Sequence, residues 1–594
     1  MKIEEIRIKN FRHIDDLTLR IGGMLALIGP NNTGKSSILK AIQVFCEPKS
    51  SIPTADFNEA KGFPDIEIII TFSNLSEETK ERYAFRLLNG EKLIAKKTWV
   101  KGERRPEFFS KELRPKDNML ADIESDWKDL KDDYTWKSRA EAEGVDFRLK
   151  SQVVEFVTRY LQSHKEDFEW KEVWVPNPSG LQEILTHHIP EVIFVEGVVD
   201  VPGQATTKQG TIFTQILGLL VEKAIEDDEN ARETYEQIKK LVSIISQEPL
   251  EGVKRIESIK KLEDELAKRM PAGIKAKFII DATEIPFSKL IQQVANLKVD
   301  DGIVTQLENK GHGMQRAAVF SFLRTYSALR RLRESDAQNE GKNRTIKRPH
   351  VFLVEEPELY LHPQAQRQMA DSFQSLVKDG NQVIFSTHSP ILIDLSQAER
   401  VCILNKNKNG KLSKKQLNEE LFEDDERSRF KLLEYMNPHR SELFFSKKAV
   451  FVEGESDRIV LEMLGKHLGV HDPEVTIIET GSKNNLPFYI QLVEAFELDY
   501  MVIHDDDVED GNGVVSNNES IRNREKNEEI SRLTTKSKPI IWHPTLNKQF
   551  NIPEGKSKGA SAQQWCEKIQ NREIDAPYEL EEAVRAVYNL EVKT

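Results

Sequence analysis

Apolar and polar residues alternate through the first twenty positions of the chain, which predicts strands over Glu4–Lys9 and Leu17–Arg20, each with one face in a core. The apolar run Met24–Ile28 predicts a third strand buried on both faces, and a glycine-containing turn and a helix over Lys35–Cys46 follow it. Alternation returns at Ile66–Phe72 and Lys92–Val100, and Glu191–Val195 reads as another buried strand. Between about Asp117 and Glu172 the chain is charged and tryptophan-bearing, with a helical stretch over Ser151–His164. Asp200–Gly210, rich in Gly, Pro and Thr, reads as a loop.

From about Gly218 to Met270 apolar residues recur every three or four positions with charges between them, which predicts an inserted helical pair. It suits either a hairpin packed on its own chain or a dimerisation element. Strand-like segments resume at Lys277–Ile280 and Val351–Val354, and Glu334–Lys347 between them reads as a polar loop. Cys402–Leu404 is a short strand. The basic stretch NKNKNGKLSKK after it reads as a solvated loop approaching a linker, and a second α/β unit begins at Ala449. Strands and helices alternating in this way define an α/β chain.

Length and composition narrow the class. The 594 residues are enough for about three or four domains. A hydrophobic fraction of 38% beside 31% charge is that of a globular protein, and no apolar run approaches the roughly 18 residues of a membrane span. The strand-like opening MKIEEIRIKNFRHID lacks the apolar core of a signal peptide. Cys46, Cys402 and Cys566 lie far apart, which argues against a disulfide framework or a cysteine zinc site and suits a reducing cytoplasm. The net charge of −13 argues against nonspecific nucleic-acid binding. Carboxylates that concentrate at a metal site would account for part of that charge, because bound ions change the local field.

The turn after the third strand, from Gly29 through Asn31, Asn32, Thr33 and Gly34 to Lys35 and Ser36, fits G-x-x-x-x-G-K-[ST] in its strand-turn-helix context. Backbone N–H groups and the helix dipole would face phosphate oxygens; Lys35 would neutralise the β- and γ-phosphates, and Ser36, followed by Ser37, would ligate Mg²⁺. The strand Val351–Val354 delivers Glu355 and Glu356 to a sheet edge. Glu355 would act on Mg²⁺ or its waters, and Glu356 on the attacking water. After a further apolar run, His388 can reach a γ-phosphate. Gly311, Gly313 and Gln315 precede a long helix, and glycines at a helix start again suit phosphate.

A second constellation lies in the C-terminal third. The strand starting at Ala449 ends in Glu453, with Gly454 and Asp457 after it, and a strand from Tyr500 ends in Asp505 and Asp507. Thr480-Gly481-Ser482-Lys483 ends another strand. Neighbouring parallel strands end at one edge, which would gather Glu453, Asp457, Asp505 and Asp507 into a hard-oxygen site for Mg²⁺ or Mn²⁺. Two such ions about 4 Å apart can activate water and stabilise a leaving oxygen of a phosphodiester. Asp506, Glu509 and Asp510 read as a solvated turn. Lys558, or else Lys556, would stabilise charge on the scissile phosphate.

The order of the N-terminal parts resembles the ABC ATPases of the SMC and RecF type. That resemblance implies a head-to-head homodimer in which the signature loop of one head completes the ATP site of the other, here around Gly313, since the usual Ser-Gly-Gly is absent. The hydrophobic-Glu-Gly turn and the D-x-D pair resemble a Toprim domain. Together they resemble the OLD (overcoming lysogenization defect) family of nucleases, which includes free-standing enzymes and the nuclease subunits of Gabija and some retron antiphage systems. The resemblance implies an ABC head over residues 1–205 and 281–410, a helical dimerisation insert over 206–280, a linker over 411–445 and a Rossmann-like Toprim domain over 446–594. It further implies a DNA endonuclease or nickase gated by ATP, in phage defence, with a helicase or reverse transcriptase as a candidate second protein. The alternative is an SMC-like DNA-clamping ATPase whose Toprim module binds without cutting. A topoisomerase or primase would need a partner tyrosine or a polymerising apparatus that no motif supplies.

Overall fold

The computed structural model describes residues 1–47, 51–77, 79–80, 87, 91–103, 105–116, 127–146, 148–176, 181, 184–185, 188–197, 217, 228–245, 253–268, 279, 298–339, 349–407, 410–423, 438–508, 518–553, 555 and 557–589. They form two compact units, Met1–Pro190 with Ile384–Thr594, and Glu191–Val383.

The first unit opens with an antiparallel sheet. Strands β1 (Lys2–Phe11) and β2 (Ile14–Arg20) form a hairpin that pairs Ile6 with Leu19 and Ile8 with Leu17. Strand β3 (Met24–Ile28) runs into the helix Lys35–Cys46, which buries Ile38, Leu39, Ile42 and Phe45. Strands β4 (Ile66–Ser73), β5 (Leu93–Trp99), β6 (Glu107–Pro115) and β7 (Trp170–Pro176) complete a sheet of order β2-β1-β4-β5-β6-β7. The alternation read in the sequence is physical: Ile66, Ile68, Ile70 and Phe72 of β4 are all fully buried, while their neighbours are not. The tryptophan-bearing segment folds as two helices, Tyr134–Ala142 and Lys150–Ser163, around Trp136, Phe156 and Leu161.

In the second unit, β8 (Glu191–Val195) pairs in parallel with β11 (His350–Glu355), and β9 (Lys298–Asp300) with β10 (Val304–Gln306) makes a small hairpin. The predicted helical pair is present as Glu229–Ser243, capped by Asp228, and Glu257–Lys268. The helix that starts at His312 continues to Asn339, so the polar loop predicted from Glu334 begins as helix. Asp200–Gly210 and all of Lys277–Ile280 except Ile279 lie outside the described residues.

Strand β12 (Gln382–Ser386) runs through the boundary between the units. Back in the first unit, β13 (Val401–Lys406) pairs in parallel with β3 and antiparallel with β14 (Leu412–Gln416). The sequence LSKKQ, read as solvated loop and linker, is therefore an edge strand. Asn407, Gly410 and Lys411 close the turn by backbone hydrogen bonds, and Gly410 has a φ of 73°. Lysines on an edge strand keep it from pairing further, which is why its composition mimics a loop.

The C-terminal part is a parallel four-stranded sheet, β16 (Val475–Glu479), β15 (Lys448–Val452), β17 (Asp499–Asp505) and β18 (Ile540–Trp542), in that order. Helices Glu455–His467, Lys558–Gln570 and Tyr578–Tyr588 share a core with it through Val450, Leu464, Trp565 and Val584. Cys46, Cys402 and Cys566 are free and buried, and among the described residues no helix is long and apolar enough to cross a membrane.

Candidate functional site

The phosphate loop is shaped by its glycines. Gly29 has a φ of 140° and Gly34 a φ of 90°. A Cβ on Gly29 would overlap the Leu404 carbonyl oxygen, and one on Gly34 would press on His13 Nε2. Only glycine meets both demands. The Lys35 ammonium is buried and donates to the carbonyl oxygens of Gly29 (2.8 Å) and Pro30 (3.0 Å), so it lies over the loop; Thr33 Oγ1 donates to Pro30 O at 2.7 Å. Asn31, Asn32 and Ser36 are exposed, and Ser37 is buried in the helix. The N–H of Thr387 donates to Leu27 O at 3.1 Å, which sets the end of β12 beside the strand that feeds the loop and leaves His388 exposed on the next turn. Burial, then Lys406 and Arg12, lower the pKa of His13, which the sequence did not single out.

In the second unit, Glu355 ends β11 and its Oε2 accepts the Gly197 N–H at 3.2 Å. Glu356 (φ 40°) and Tyr360 (φ 61°) hold left-handed conformations, so the chain turns sharply after the paired acids. The helix His312–Asn339 starts against this turn: the His312 ring stacks on Tyr360 at 5.2 Å, and a Cβ on Gly313 would stand 3.3 Å from the Tyr360 carbonyl oxygen. Gly311 precedes the helix and Gly313 lies in its first turn. Gln315 is buried and donates to Lys310 O at 2.8 Å. Arg316 is fully buried with no hydrogen-bond partner on any guanidinium nitrogen among the described residues. Burial lowers its pKa, against a smaller opposing pull from Glu358, Glu356 and Glu355.

The carboxylates of the C-terminal sheet converge as the strand ends require. Glu453 follows β15, Asp505 ends β17, and the N–H of Asp505 donates to Glu453 Oε1 at 2.9 Å. Asp505 Oδ1 accepts the Leu546 N–H at 2.8 Å. Asp457 sits in the first turn of the helix after Glu453 and is 7% exposed. Burial, then mutual repulsion, pushes these acids up: Glu453 to about 7, Asp457 to about 8 and Asp505 to about 6. Asp507 (φ 53°) turns back and its Oδ2 receives the Lys483 ammonium at 2.7 Å. Lys483 is 6% exposed and lowers the pKa of both Glu453 and Asp505, as Lys558 does for Asp505. Lys558 opens the helix Lys558–Gln570, whose Gly559 packs on Glu455.

Three of the four carboxylates have pKa values raised toward neutral pH, and hard oxygen donors of this kind suit a divalent cation. Among the described residues, however, no three acidic, histidine or cysteine side chains stand close enough together to hold a metal ion; Glu453 and Asp505 each give one oxygen to a backbone N–H, and Asp507 gives one to Lys483. Lys483 is the site residue that sequence reasoning passed over. Its signal was a lysine two residues after a strand-ending glycine, at the same sheet edge as the acids. Asp506, read above as part of a solvated turn, is partly buried: it pairs with His543 and accepts the Val508 N–H at 2.8 Å. Glu509, Asp510 and Lys556 lie outside the described residues.

A phosphate loop and a Toprim-like acid cluster in one chain define an ATPase joined to a phosphodiester-acting module. Residues 1–393 match the AAA ATPase domain family, and residues 444–507 match the TOPRIM domain of overcoming-lysogenization-defect-like proteins. The chain is 26% identical over 584 residues to an OLD nuclease of Thermus scotoductus, covering 93% of this chain and 92% of that one. It is 24% identical over 524 residues to the Old nuclease of Escherichia phage P2, covering 85% and 77%. A solved SMC head bound to the C-winged helix domain of ScpA matches over 70% of this chain and 99% of its own, at 15% identity and a TM-score of 0.35. The chain belongs to the AAA ATPase domain family, and with its OLD-like TOPRIM domain it fits the OLD family of ATPase–Toprim nucleases. Use of a nucleotide and of a divalent metal comes with those two domains.

Proposed function

We propose that the protein is a divalent-metal-dependent DNA endonuclease or nickase whose cutting is controlled by ATP. The observation that carries this reading is the gathering of Glu453, Asp457, Asp505 and Asp507 beside two lysines at one edge of a parallel sheet, in a chain that also holds a formed phosphate loop. Glu453, Asp457, Asp505 and Asp507 would hold Mg²⁺ or Mn²⁺, and when bound these ions supply an activated water and charge neutralisation at the leaving oxygen. Lys558, at a helix start beside Asp505, balances charge on the scissile phosphate. Lys483 holds Asp507 in its turned-back conformation. His504 is buried behind the acids with Nδ1 2.8 Å from Asp505 O, and burial lowers its pKa.

At the nucleotide site, Lys35 and the loop amides from Gly29 to Ser37 take the phosphates and Ser36 takes Mg²⁺. Glu355 acts on that ion, Glu356 on the attacking water, and His388 on the γ-phosphate. Gly311, Gly313 and Gln315 belong to the signature element that a second head would use. A homodimer is supported by the helical insert, where Leu241, Leu262 and Leu266 are exposed on amphipathic helices. The domain limits expected above, the Toprim domain from residue 446 included, are kept in this reading, except that Leu412–Gln416, paired with β13, joins the ATPase part rather than the linker. So is the phage-defence setting, with a helicase or reverse transcriptase as the candidate partner, on the strength of the family resemblance.

Supercoiled plasmid incubated with Mg²⁺ or Mn²⁺ tests the reading. Nicked or linear product from the wild type, absent with Glu453→Ala, supports a nuclease. ATP turnover without cutting under either metal points to the DNA clamp, and relaxed closed circles point to a topoisomerase; both outcomes reject the proposal.

A further inference from the structure

A short line of buried contacts joins the turn that carries His388 to the lysine that holds Asp507. Immediately after His388, Ser389 Oγ accepts the Ile391 N–H at 3.2 Å, which closes the turn Pro390–Leu392. The carbonyl of the next residue, Ile393, accepts the hydroxyl of Ser441 at 3.3 Å, and Ser441 is fully buried. Its neighbour Arg440, 6% exposed, donates from Nε to the Glu479 carbonyl at 2.8 Å, and its guanidinium lies 6.0 Å from the Tyr489 ring centre. A Cβ on Gly481 would stand 3.2 Å from Arg440 Nη2, so Arg440 abuts the loop after β16 from the side as well.

That loop is stiff. Thr480 donates from both N and Oγ1 to Val452 O, at 2.9 and 3.0 Å, directly before Glu453. Asn485 Nδ2 donates to Thr480 O at 2.9 Å. Lys483 stands between these two anchors and reaches Asp507. A displacement of the Ile393 carbonyl has no slack to absorb it before Lys483, because Ser441, Arg440, Thr480, Lys483 and Asn485 are all nearly or fully buried and packed interiors do not deform continuously.

We propose that Arg440 is a positioning residue that carries the state of the His388 turn to Lys483, and so sets whether Asp507 is held by the lysine or released toward the other acids. This rests on the nucleotide-controlled reading above, with His388 at the γ-phosphate. Nucleotide binding shifts the 388–393 turn; Ser441 and Arg440 move with it; the loop after β16 re-aims Lys483.

The test uses the full-length protein and supercoiled plasmid at fixed Mn²⁺, comparing initial nicking rates with and without ATP in the wild type, Arg440→Met and Ser441→Ala. Hydrogen exchange of the segment 479–486 is followed in the same samples. The wild type is expected to change its rate about 5-fold or more with ATP, in one direction or the other, while both variants stay within about 2-fold. Both variants should keep the nucleotide-free nicking rate and the ATP turnover of the wild type. Exchange at 479–486 should respond to ATP in the wild type alone. If Arg440→Met does not fold, Ser441→Ala, which loses a single oxygen, decides by itself. A full nucleotide response in the folded variants overturns the relay and leaves ATP control standing. A wild type that ignores ATP overturns ATP control and the relay with it.

Discussion

The backbone N–H of Asp505 donates to the Glu453 carboxylate at 2.9 Å, and this bond joins the ends of two adjacent parallel strands into one acidic site. The bond needs an acceptor, not a charge. Glu453→Gln keeps an oxygen acceptor for it and removes one of the mutually repelling carboxylates. Cutting should fall by at least about 100-fold, beyond the loss typical of groups that only support metal ligands. The metal-free melting temperature should hold or rise, since a buried acid whose pKa is pushed up to about 7 costs stability when ionised. Plasmid nicking and a thermal melt read the two effects separately.

The pH dependence follows from the same three acids. Their pKa values lie near 7, 8 and 6 for Glu453, Asp457 and Asp505, all above their unfolded values. The folded metal-free protein therefore holds more protons than the unfolded chain between about pH 4 and pH 8. The stability these protons confer is complete at low pH and is lost as pH rises through the folded pKa values, so the metal-free melting temperature should fall from pH 6 to pH 8.5. Metal binding needs the ionised forms, so divalent-dependent cutting should rise across the same window. Melts and nicking rates at matched pH, with and without Mn²⁺, show opposite slopes if the assignment holds; parallel slopes would contradict it.

Gly29 is the tightest point of the phosphate loop. Gly29→Ala must relieve a clash with the Leu404 carbonyl as well as a φ of 140°. ATP turnover should be lost, with a drop in stability on the order of 1–3 kcal/mol from overpacking. Turnover assays and urea unfolding measure both.

Gly465 offers a stability test outside both sites. It lies on the helix Glu455–His467, and a Cβ there would overlap the Tyr588 ring. Gly465→Ala should destabilise the protein by roughly 1–3 kcal/mol despite the better helix propensity of alanine, while the metal affinity of the folded protein stays that of the wild type. Urea midpoints and calorimetric Mn²⁺ titration distinguish this from a change at the acids.

The sequence made strands and helices legible where burial imposes a strict period. Lys35–Cys46 and Glu191–Val195 fall at the predicted residues, and Glu453 and Asp505 were legible because each ends an apolar strand. The lysine-rich edge strand β14 was not, since its side chains do not alternate between core and solvent. Lys483 and Arg440 were hidden for a different reason. Each is one cation in an unremarkable local context, and only the parallel register of β15, β16 and β17 brings Lys483 to Asp507. Asp506 shows the converse: it reads as solvated in the sequence, and its pairing with His543, 37 residues away, is set by β18 beside β17.

The central claim is that nucleotide at the phosphate loop controls cutting at the Toprim acids. The most direct measurement is the rate of supercoiled plasmid cutting at fixed Mn²⁺, with and without ATP, in the wild type, Lys35→Ala and Glu453→Gln. The account predicts a nucleotide-dependent rate in the wild type, a nucleotide-independent rate in Lys35→Ala, and no cutting in Glu453→Gln under either condition. Cutting by Lys35→Ala that responds to ATP as the wild type does, or cutting that survives in Glu453→Gln, would contradict it.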